Sequence, residues 1–139
     1  MTDRHPPNTT ASLVSDAHNV SLTLPLDLRH ATTARMVAAS LAADAGFSVD
    51  EIDDLRLGIN EVVSVLADDP SGDPQAKLSI DFVVGTGYVE ATVARSDGAG
   101  AAVLDDLAQR ILDAVTDRYE YERGAFKIIK SAAHRDDGN

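Results

Sequence analysis

The chain has 139 residues and a formal net charge of −11, from 12 basic and 23 acidic side chains. This charge repels phosphate backbones, so the composition argues against direct nucleic-acid binding and favours encounters with basic partners. The 44% of hydrophobic residues suffices for one domain with one core, and the lack of cysteine excludes disulfides and thiolate metal sites. No segment has the pattern of a signal peptide or a membrane span, which predicts a soluble, cytoplasmic protein.

The pattern predicts one domain, residues 19–132, between a flexible polar arm, 1–18, and a flexible polar tail, 133–139. Residues 20–24 alternate apolar and polar side chains, which predicts a short strand that Pro25 closes. Residues 31–45 carry small apolar side chains at helical spacing, and Gly46 ends this first helix.

The second helix is predicted over residues 50–68. Ser48 and Glu51 have the S-x-x-E spacing of a capping box, in which each side chain bonds the other residue's backbone N–H. An apolar stripe with alternating spacings of three and four follows and marks the buried face: Ile52, Leu55, Ile59, Val62 and Leu66. Glu61 lies on a flank of this stripe, beside Gly58 and Val65, where its carboxylate can overlook a pocket or simply be solvated.

The second half of the chain predicts two hairpins around a third helix. Residues 78–84 and 88–95 alternate as strands on either side of a Gly-Thr-Gly turn, and residues 118–123 and 126–130 form a second hairpin around Gly124. The helix between them is predicted from four apolar positions: Leu104, Leu107, Ile111 and Val115. This order predicts an α+β two-layer sandwich, a mostly antiparallel five-stranded sheet with three helices on one face. A ferredoxin-like arrangement would give a similar pattern.

The segment AGFSVDEIDDLRLGINEVVSVLAD resembles the second helix of the anti-sigma-factor serine kinases of the RsbW and SpoIIAB type, within the histidine-kinase-like (GHKL) ATPases. In that family a glutamate acts as general base, and an asparagine four residues later holds magnesium. Glu61 matches the glutamate, but Val65 stands at the asparagine position. Asn60 is no substitute, because one residue of helix turns it by about 100°. A valine offers no oxygen to magnesium.

The family's adenine-binding motif D-x-G-x-G is also altered. Aligned on Gly98 and Gly100, the aspartate position is Ser96, and Asp97 is displaced by one residue, which in an extended chain turns its side chain to the opposite side. Without the resemblance, SDGAG is simply turn chemistry. The family's glycine-containing lid would fall at residues 101–107, which contain no glycine. The resemblance therefore implies a degenerate nucleotide site, with neither ATP nor magnesium expected as a cofactor.

No other metal site is predicted, because the four histidines lack ligand spacing: His5, His18, His30 and His134.

The first helix carries a second resemblance, since ARMVAAS is similar to the family's A-R-x-x-x-A-S. There the arginine lies on the surface that engages the sigma factor and its antagonist, and Arg35 matches it. The outward face of this helix is poor in charge for so acidic a protein, and it holds Thr32, Arg35, Met36, Ala39 and Ala43. A solvated arginine among helix-favouring alanines would look the same. With the resemblance, we expect a partner-binding surface on which Arg35 bonds a carboxylate.

The resemblance implies an anti-sigma factor of a stress response that sequesters an alternative sigma factor. A STAS-type anti-anti-sigma antagonist would release it by partner switching. The alternative is an ATP-dependent serine/threonine kinase acting on that antagonist, with Glu61 as base. The family also implies a homodimer through the first strand and the free sheet face, on which Tyr119 and Tyr121 would share one side unless they pack in the core.

Overall fold

A computed structural model describes residues 17–133 as an antiparallel five-stranded sheet of order β1-β2-β3-β5-β4 with three α-helices. The elements are β1 (His18–Pro25), a 3₁₀ turn (Leu28–His30), α1 (Ala31–Asp44), α2 (Val49–Ala67), β2 (Lys77–Gly85), β3 (Tyr88–Arg95), α3 (Asp106–Val115), β4 (Arg118–Glu122) and β5 (Ala125–Ser131). The predicted α+β sandwich is confirmed, and every pair of neighbouring strands is antiparallel. Most of the predicted arm and tail lies outside the described residues.

One face of the sheet and the inner sides of the helices form a single core. Leu78, Ile80 and Phe82 alternate along β2 toward the helices, and each is at most 1% exposed. Across the register, Phe82 pairs with Ala91 of β3, which pairs in turn with Ile128 of β5, so the buried face continues across three strands. The opposite face is polar, with Lys127 3.6 Å from Glu90 and Arg118 3.0 Å from Glu120.

The two edge strands differ in length and charge. β1 is longer than predicted, since it begins at His18, which was assigned to the arm, and ends at Pro25. A proline is tolerated there because its missing N–H costs no bond at an edge. β4 is five residues long and carries charged side chains at alternate positions, a pattern that discourages pairing with another strand.

The predicted start of α2 is confirmed by the capping box. The Glu51 N–H donates to Ser48 Oγ at 3.2 Å, and the Ser48 N–H donates to Glu51 Oε1 at 2.7 Å. The predicted stripe is buried from Leu55 onward, with Ile52 partly buried at its beginning. Gly58 is also buried, and a Cβ there would already lie 3.5 Å from Val115 and from Ile128. The flank that carries Glu61 therefore faces α3 and its flanking segments.

The apolar stripe predicted for the third helix is partly wrong. α3 begins at Asp106, with Asp105 as its N-cap, so Leu104 lies in the preceding loop and is buried there. Counted from the true start, the core face holds Ala108, Leu112 and Val115, and Leu107 is left 67% exposed. The prediction counted the helical period from Leu104, which precedes the helix, and it therefore assigned Leu107 to the buried face.

Candidate functional site

A cavity of about 350 Å³ lies between the C-terminal half of α2 and the segment that leads into α3. We call it the α2–α3 cavity. Its walls are aliphatic and acidic, and they are formed by Val65, Asp68, Asp69, Ala101, Val103, Leu104, Asp105 and Ala108. Val65 from the second-helix motif and residues of the segment aligned with the lid therefore meet at one place. The cavity is the candidate functional site.

Glu61 lies one helical turn before Val65 on α2, but unlike Val65 it is not among the residues that line this cavity. Burial and, to a lesser extent, the nearby Asp105 carboxylate raise the pKa of Glu61. Val65 lines the cavity and presents only carbon atoms where the family resemblance places a magnesium ligand. Asn60 is turned to another surface, where its Oδ1 accepts a hydrogen bond of 2.6 Å from Arg35.

Ser96 and Asp97 are occupied in local structure. Ser96 Oγ accepts a hydrogen bond of 2.8 Å from the Lys77 N–H. The Asp97 carboxylate forms two bonds with the Arg95 guanidinium, at 2.9 and 3.0 Å, and accepts from the N–H groups of Asp73 and Ala99. The alternation argument for Asp97 does not hold, because β3 ends at Arg95 and the Gly98 N–H bonds back to the Arg95 carbonyl in a turn.

Gly100 in this turn and Gly124 in the β4–β5 hairpin are explained by backbone contacts between the two loops, whereas Gly98 is explained by its backbone angle. A Cβ on Gly100 would lie 2.9 Å from the backbone nitrogen of Gly124, and a Cβ on Gly124 would lie 2.8 Å from the Gly98 carbonyl. All three have positive φ, at 154° for Gly100, 78° for Gly124 and 68° for Gly98. Packing between two loops is thus a sufficient reason for Gly100 and Gly124, and the positive φ is a sufficient reason for Gly98, without a nucleotide close by.

Arg95 is a structural residue that the sequence analysis missed. It is 5% exposed, and its Nη1 donates to the carbonyls of Leu66 at 2.7 Å and Asp69 at 3.4 Å. It thereby satisfies carbonyl groups at the end of α2, where a positive charge also complements the helix dipole. The ion pair holds the pKa of Asp97 well below its usual range. Arg95 therefore ties α2 to the turn after β3.

The charges around the cavity do not suit a magnesium–triphosphate group. Asp68, Asp69 and Asp105 line it, and no lysine or arginine is among its lining residues. Triphosphate sites need cations or a cradle of free N–H groups to neutralise the phosphates. Within residues 17–133, no three His, Cys, Asp or Glu side chains come together as a metal-binding group. The lining residues therefore offer no positively charged side chain to a triphosphate.

A second recess, the α1–α2 groove, has a volume of about 480 Å³ and is lined by Arg35, Asp53, Arg56, Leu57 and Asn60. Arg35 bonds Asn60 Oδ1 at 2.6 Å and Thr32 Oγ1 at 3.2 Å, so both its partners are neutral. Met36 and Leu57 are 66% and 54% exposed. Of the other predicted interface residues, Thr32 is exposed and Ala39 half-buried. Among residues 17–133 Arg35 forms no ion pair, so the groove places a guanidinium without a carboxylate partner beside the exposed Leu57, and the exposed Met36 follows Arg35 on α1.

Comparison with solved structures supports the fold. The chain is similar to the crystal structure of the RsbU and RsbW domains of Rv1364c from Mycobacterium tuberculosis, with a TM-score of 0.59 and 18% sequence identity. The match covers 83% of this chain and 32% of that one, so the chain spans about a third of the neighbour's length. No protein-family model and no curated protein matches the sequence. In the described part of the chain, no helix is long and apolar enough to cross a membrane.

Proposed function

We propose that this protein is an anti-sigma factor that acts by partner switching and not by phosphoryl transfer. It sequesters an alternative sigma factor of a stress response in the cytoplasm, and a STAS-type antagonist releases it by competing for an overlapping surface. The RsbW-like fold supports this class of regulator. The observation that supports the proposal is the chemistry of the α2–α3 cavity, which is lined by carboxylates and aliphatic groups and by no lysine or arginine that could neutralise phosphates.

The α1–α2 groove is the proposed binding surface. Within the described residues Arg35 is held by Asn60 and Thr32 and by no carboxylate, so a partner's aspartate or glutamate can pair with it without displacing an ion pair seen there. Met36 and Leu57 supply apolar surface beside it. A fixed arginine surrounded by exposed aliphatic side chains is typical of interface centres, where truncation costs about 2 kcal/mol or more.

The test is to purify the alternative sigma factors encoded in the source genome and to measure their affinity for the full chain by calorimetry. We expect one to bind with a Kd in the nanomolar to micromolar range and Arg35→Ala to weaken it about thirtyfold or more, which corresponds to about 2 kcal/mol. Arg110→Ala is the control, because Arg110 is an exposed arginine on α3. Equal effects of the two substitutions would refute the assignment of the groove.

A serine/threonine kinase is the second candidate, and one observation favours it. Glu61 has a raised pKa, caused by burial and by the nearby Asp105 carboxylate, and a general base often has such a shift. The kinase needs ATP and magnesium, so it predicts micromolar binding of magnesium–ATP and transfer of the γ-phosphate to the antagonist. The anti-sigma proposal predicts neither, and phosphate transfer that Glu61→Gln abolishes would overturn it.

Homodimer formation stays a prediction. The free sheet face carries ion pairs between its own strands, such as Lys127 with Glu90, so its charges are partly satisfied within one chain. Tyr119 and Tyr121 are half-buried and pack against the core, as the default interpretation held. Sedimentation of the full chain across a range of concentrations measures the oligomeric state directly.

A further inference from the structure

The α2–α3 cavity has an apolar wall and an acidic rim. Val65, Leu104 and Ala108 form aliphatic surface inside it, and Val103 at its mouth is 75% exposed. Leu107, in the first turn of α3, is 67% exposed. Val103 and Leu107, two of the large exposed aliphatic side chains of the described region, are therefore close together in sequence. Apolar side chains that are exposed together in this way indicate an interaction site.

The carboxylates at the cavity are not ion-paired within the described part of the chain, although hydrogen bonds from Ser71 and, more weakly, the charge of Arg95 lower the pKa of Asp69. Among residues 17–133, no ion pair includes Glu61, Asp68, Asp69 or Asp105. Asp105 caps α3 by accepting from the Ala108 N–H at 2.8 Å, and Asp69 accepts from Ser71, so both carboxylates are fixed by neutral groups. Mutual repulsion contributes to the raised pKa of Glu61, because Asp105 is one of its causes. A cation that enters the cavity relieves this repulsion.

The α1–α2 groove has the opposite character. It also has exposed apolar side chains, but its uncompensated charge is the Arg35 guanidinium. α2 forms a wall of both recesses, through Asn60 in one and Val65 in the other. The two recesses therefore select for partner segments of different charge.

We infer that the α2–α3 cavity is a docking site for a basic amphipathic segment of a partner protein, which inserts an arginine or lysine side chain between aliphatic contacts. Such a side chain has an apolar stem, which packs against Val65 and Val103, and a charged head, which reaches the carboxylates of Asp68 and Asp105. A phosphate ligand is repelled by the same carboxylates. The site is separate from the α1–α2 groove, and the inference does not depend on the identity of the partner proposed above.

The probe is a synthetic amphipathic peptide of about 16 residues, with leucine and alanine on one helical face and lysine and arginine on the other. It is titrated into the ¹⁵N-labelled full chain while the amide resonances are followed. We expect the amides of Val65, Val103 and Ala108 to shift. A second peptide, with glutamate in place of every lysine and arginine, leaves them unchanged.

Two matched double variants separate site-specific binding from general attraction to an acidic protein. Asp68→Asn with Val103→Ser removes one carboxylate and one exposed valine at the cavity. Asp50→Asn with Val49→Ser removes the same groups at the other end of α2, where Val49 is 74% exposed. We expect the first variant to weaken peptide binding tenfold or more and the second to change it less than twofold.

Several results would overturn the inference. If both double variants weakened peptide binding equally, the binding would depend only on the net charge of the protein. Resonance shifts confined to the α1–α2 groove would show that the peptide binds there and not in the cavity. Absence of binding up to millimolar peptide would also refute it. Shifts of the cavity amides that depend only on protein concentration would assign the surface to a second copy of the chain. If magnesium–ATP alone shifted the resonances of those amides, the cavity would be a nucleotide site.

Discussion

Replacing Arg95 with methionine tests whether one guanidinium joins the end of α2 to the turn after β3. The side chain is 2% exposed. It bonds the Leu66 carbonyl at 2.7 Å and the Asp97 carboxylate at 2.9 and 3.0 Å. Methionine keeps an unbranched apolar stem but has no donor, so the Leu66 carbonyl stays buried without its partner.

The expected loss follows from the groups left behind. A buried carbonyl that loses a charged donor costs about 1.5–3 kcal/mol. Asp97 is exposed to solvent, so the loss of its ion pair adds little to this cost. Because Arg95 also donates to the Asp69 carbonyl, we expect Arg95→Met to lower the free energy of unfolding by about 3 kcal/mol, the upper end of this range.

Urea unfolding followed by circular dichroism measures this loss. Arg95→Lys keeps the charge without the planar fork and should fall between methionine and the native protein. Arg118→Met is the control, because Arg118 is 66% exposed and its replacement should change stability by no more than about 0.5 kcal/mol. A loss for Arg95→Met below about 1 kcal/mol, or one equal to that of the control, would refute the structural role.

Acid unfolding supplies a second measure of the same contact. Because the bond with Arg95 lowers the pKa of Asp97, the folded state favours the ionised carboxylate. This contribution is complete above the unfolded pKa of about 3.9, and it is lost as the pH falls through the lower folded pKa. Arg95→Met should therefore destabilise the protein more at pH 7 than at pH 2. An equal loss at both values would contradict the ion pair.

The remaining predictions concern the loops, the cavity and the groove. Gly124→Ala should lower the free energy of unfolding by about 3 kcal/mol, because its Cβ would clash with backbone atoms and its φ is positive. Gly98→Ala should cost about 1 kcal/mol, because its φ is positive but its Cβ meets nothing within 4 Å. Similar urea midpoints for the two variants would contradict this prediction. Glu61→Gln should raise the urea midpoint at pH 7, because a raised pKa means that ionisation of Glu61 destabilises the fold. This gain should vanish below about pH 4, where Glu61 is protonated in both the folded and the unfolded state. A gain at both pH values would show another cause. Asn60→Asp should weaken the proposed sigma-factor binding more than Asn60→Ala, because a carboxylate 2.6 Å from Arg35 would pair with the guanidinium. Calorimetry measures both affinities, and the reverse order would exclude competition for the guanidinium.

Local signals were sufficient to predict the elements. The capping box of Ser48 and Glu51 needs only four residues of sequence, and the strand alternation around residues 85–87 defines a hairpin by itself. The flank position of Glu61 also followed from helical geometry alone. Leu107 was misplaced because the loop residue Leu104 happens to be buried and imitates the first position of a helical stripe.

Contacts between distant segments were not predictable in this way. Arg95 reads from the sequence as a charged residue at a strand end, which is ordinarily solvated, and only the folded chain brings it to the Leu66 carbonyl. Gly100 and Gly124 meet across the β3–β5 pairing, and no local pattern links them. The acidic rim of the α2–α3 cavity likewise combines the end of α2 with the start of α3.

The contact between Arg95 and the end of α2 has a consequence for the speed of recognition. Because Arg95 already holds the turn after β3 in the free protein, a segment that docks beside this turn does not have to order a loop. Little conformational entropy is therefore lost in that step. For the docking proposed above, the negative field of the protein would steer a basic partner, and the lifetime of the complex would depend on the side chains that it buries.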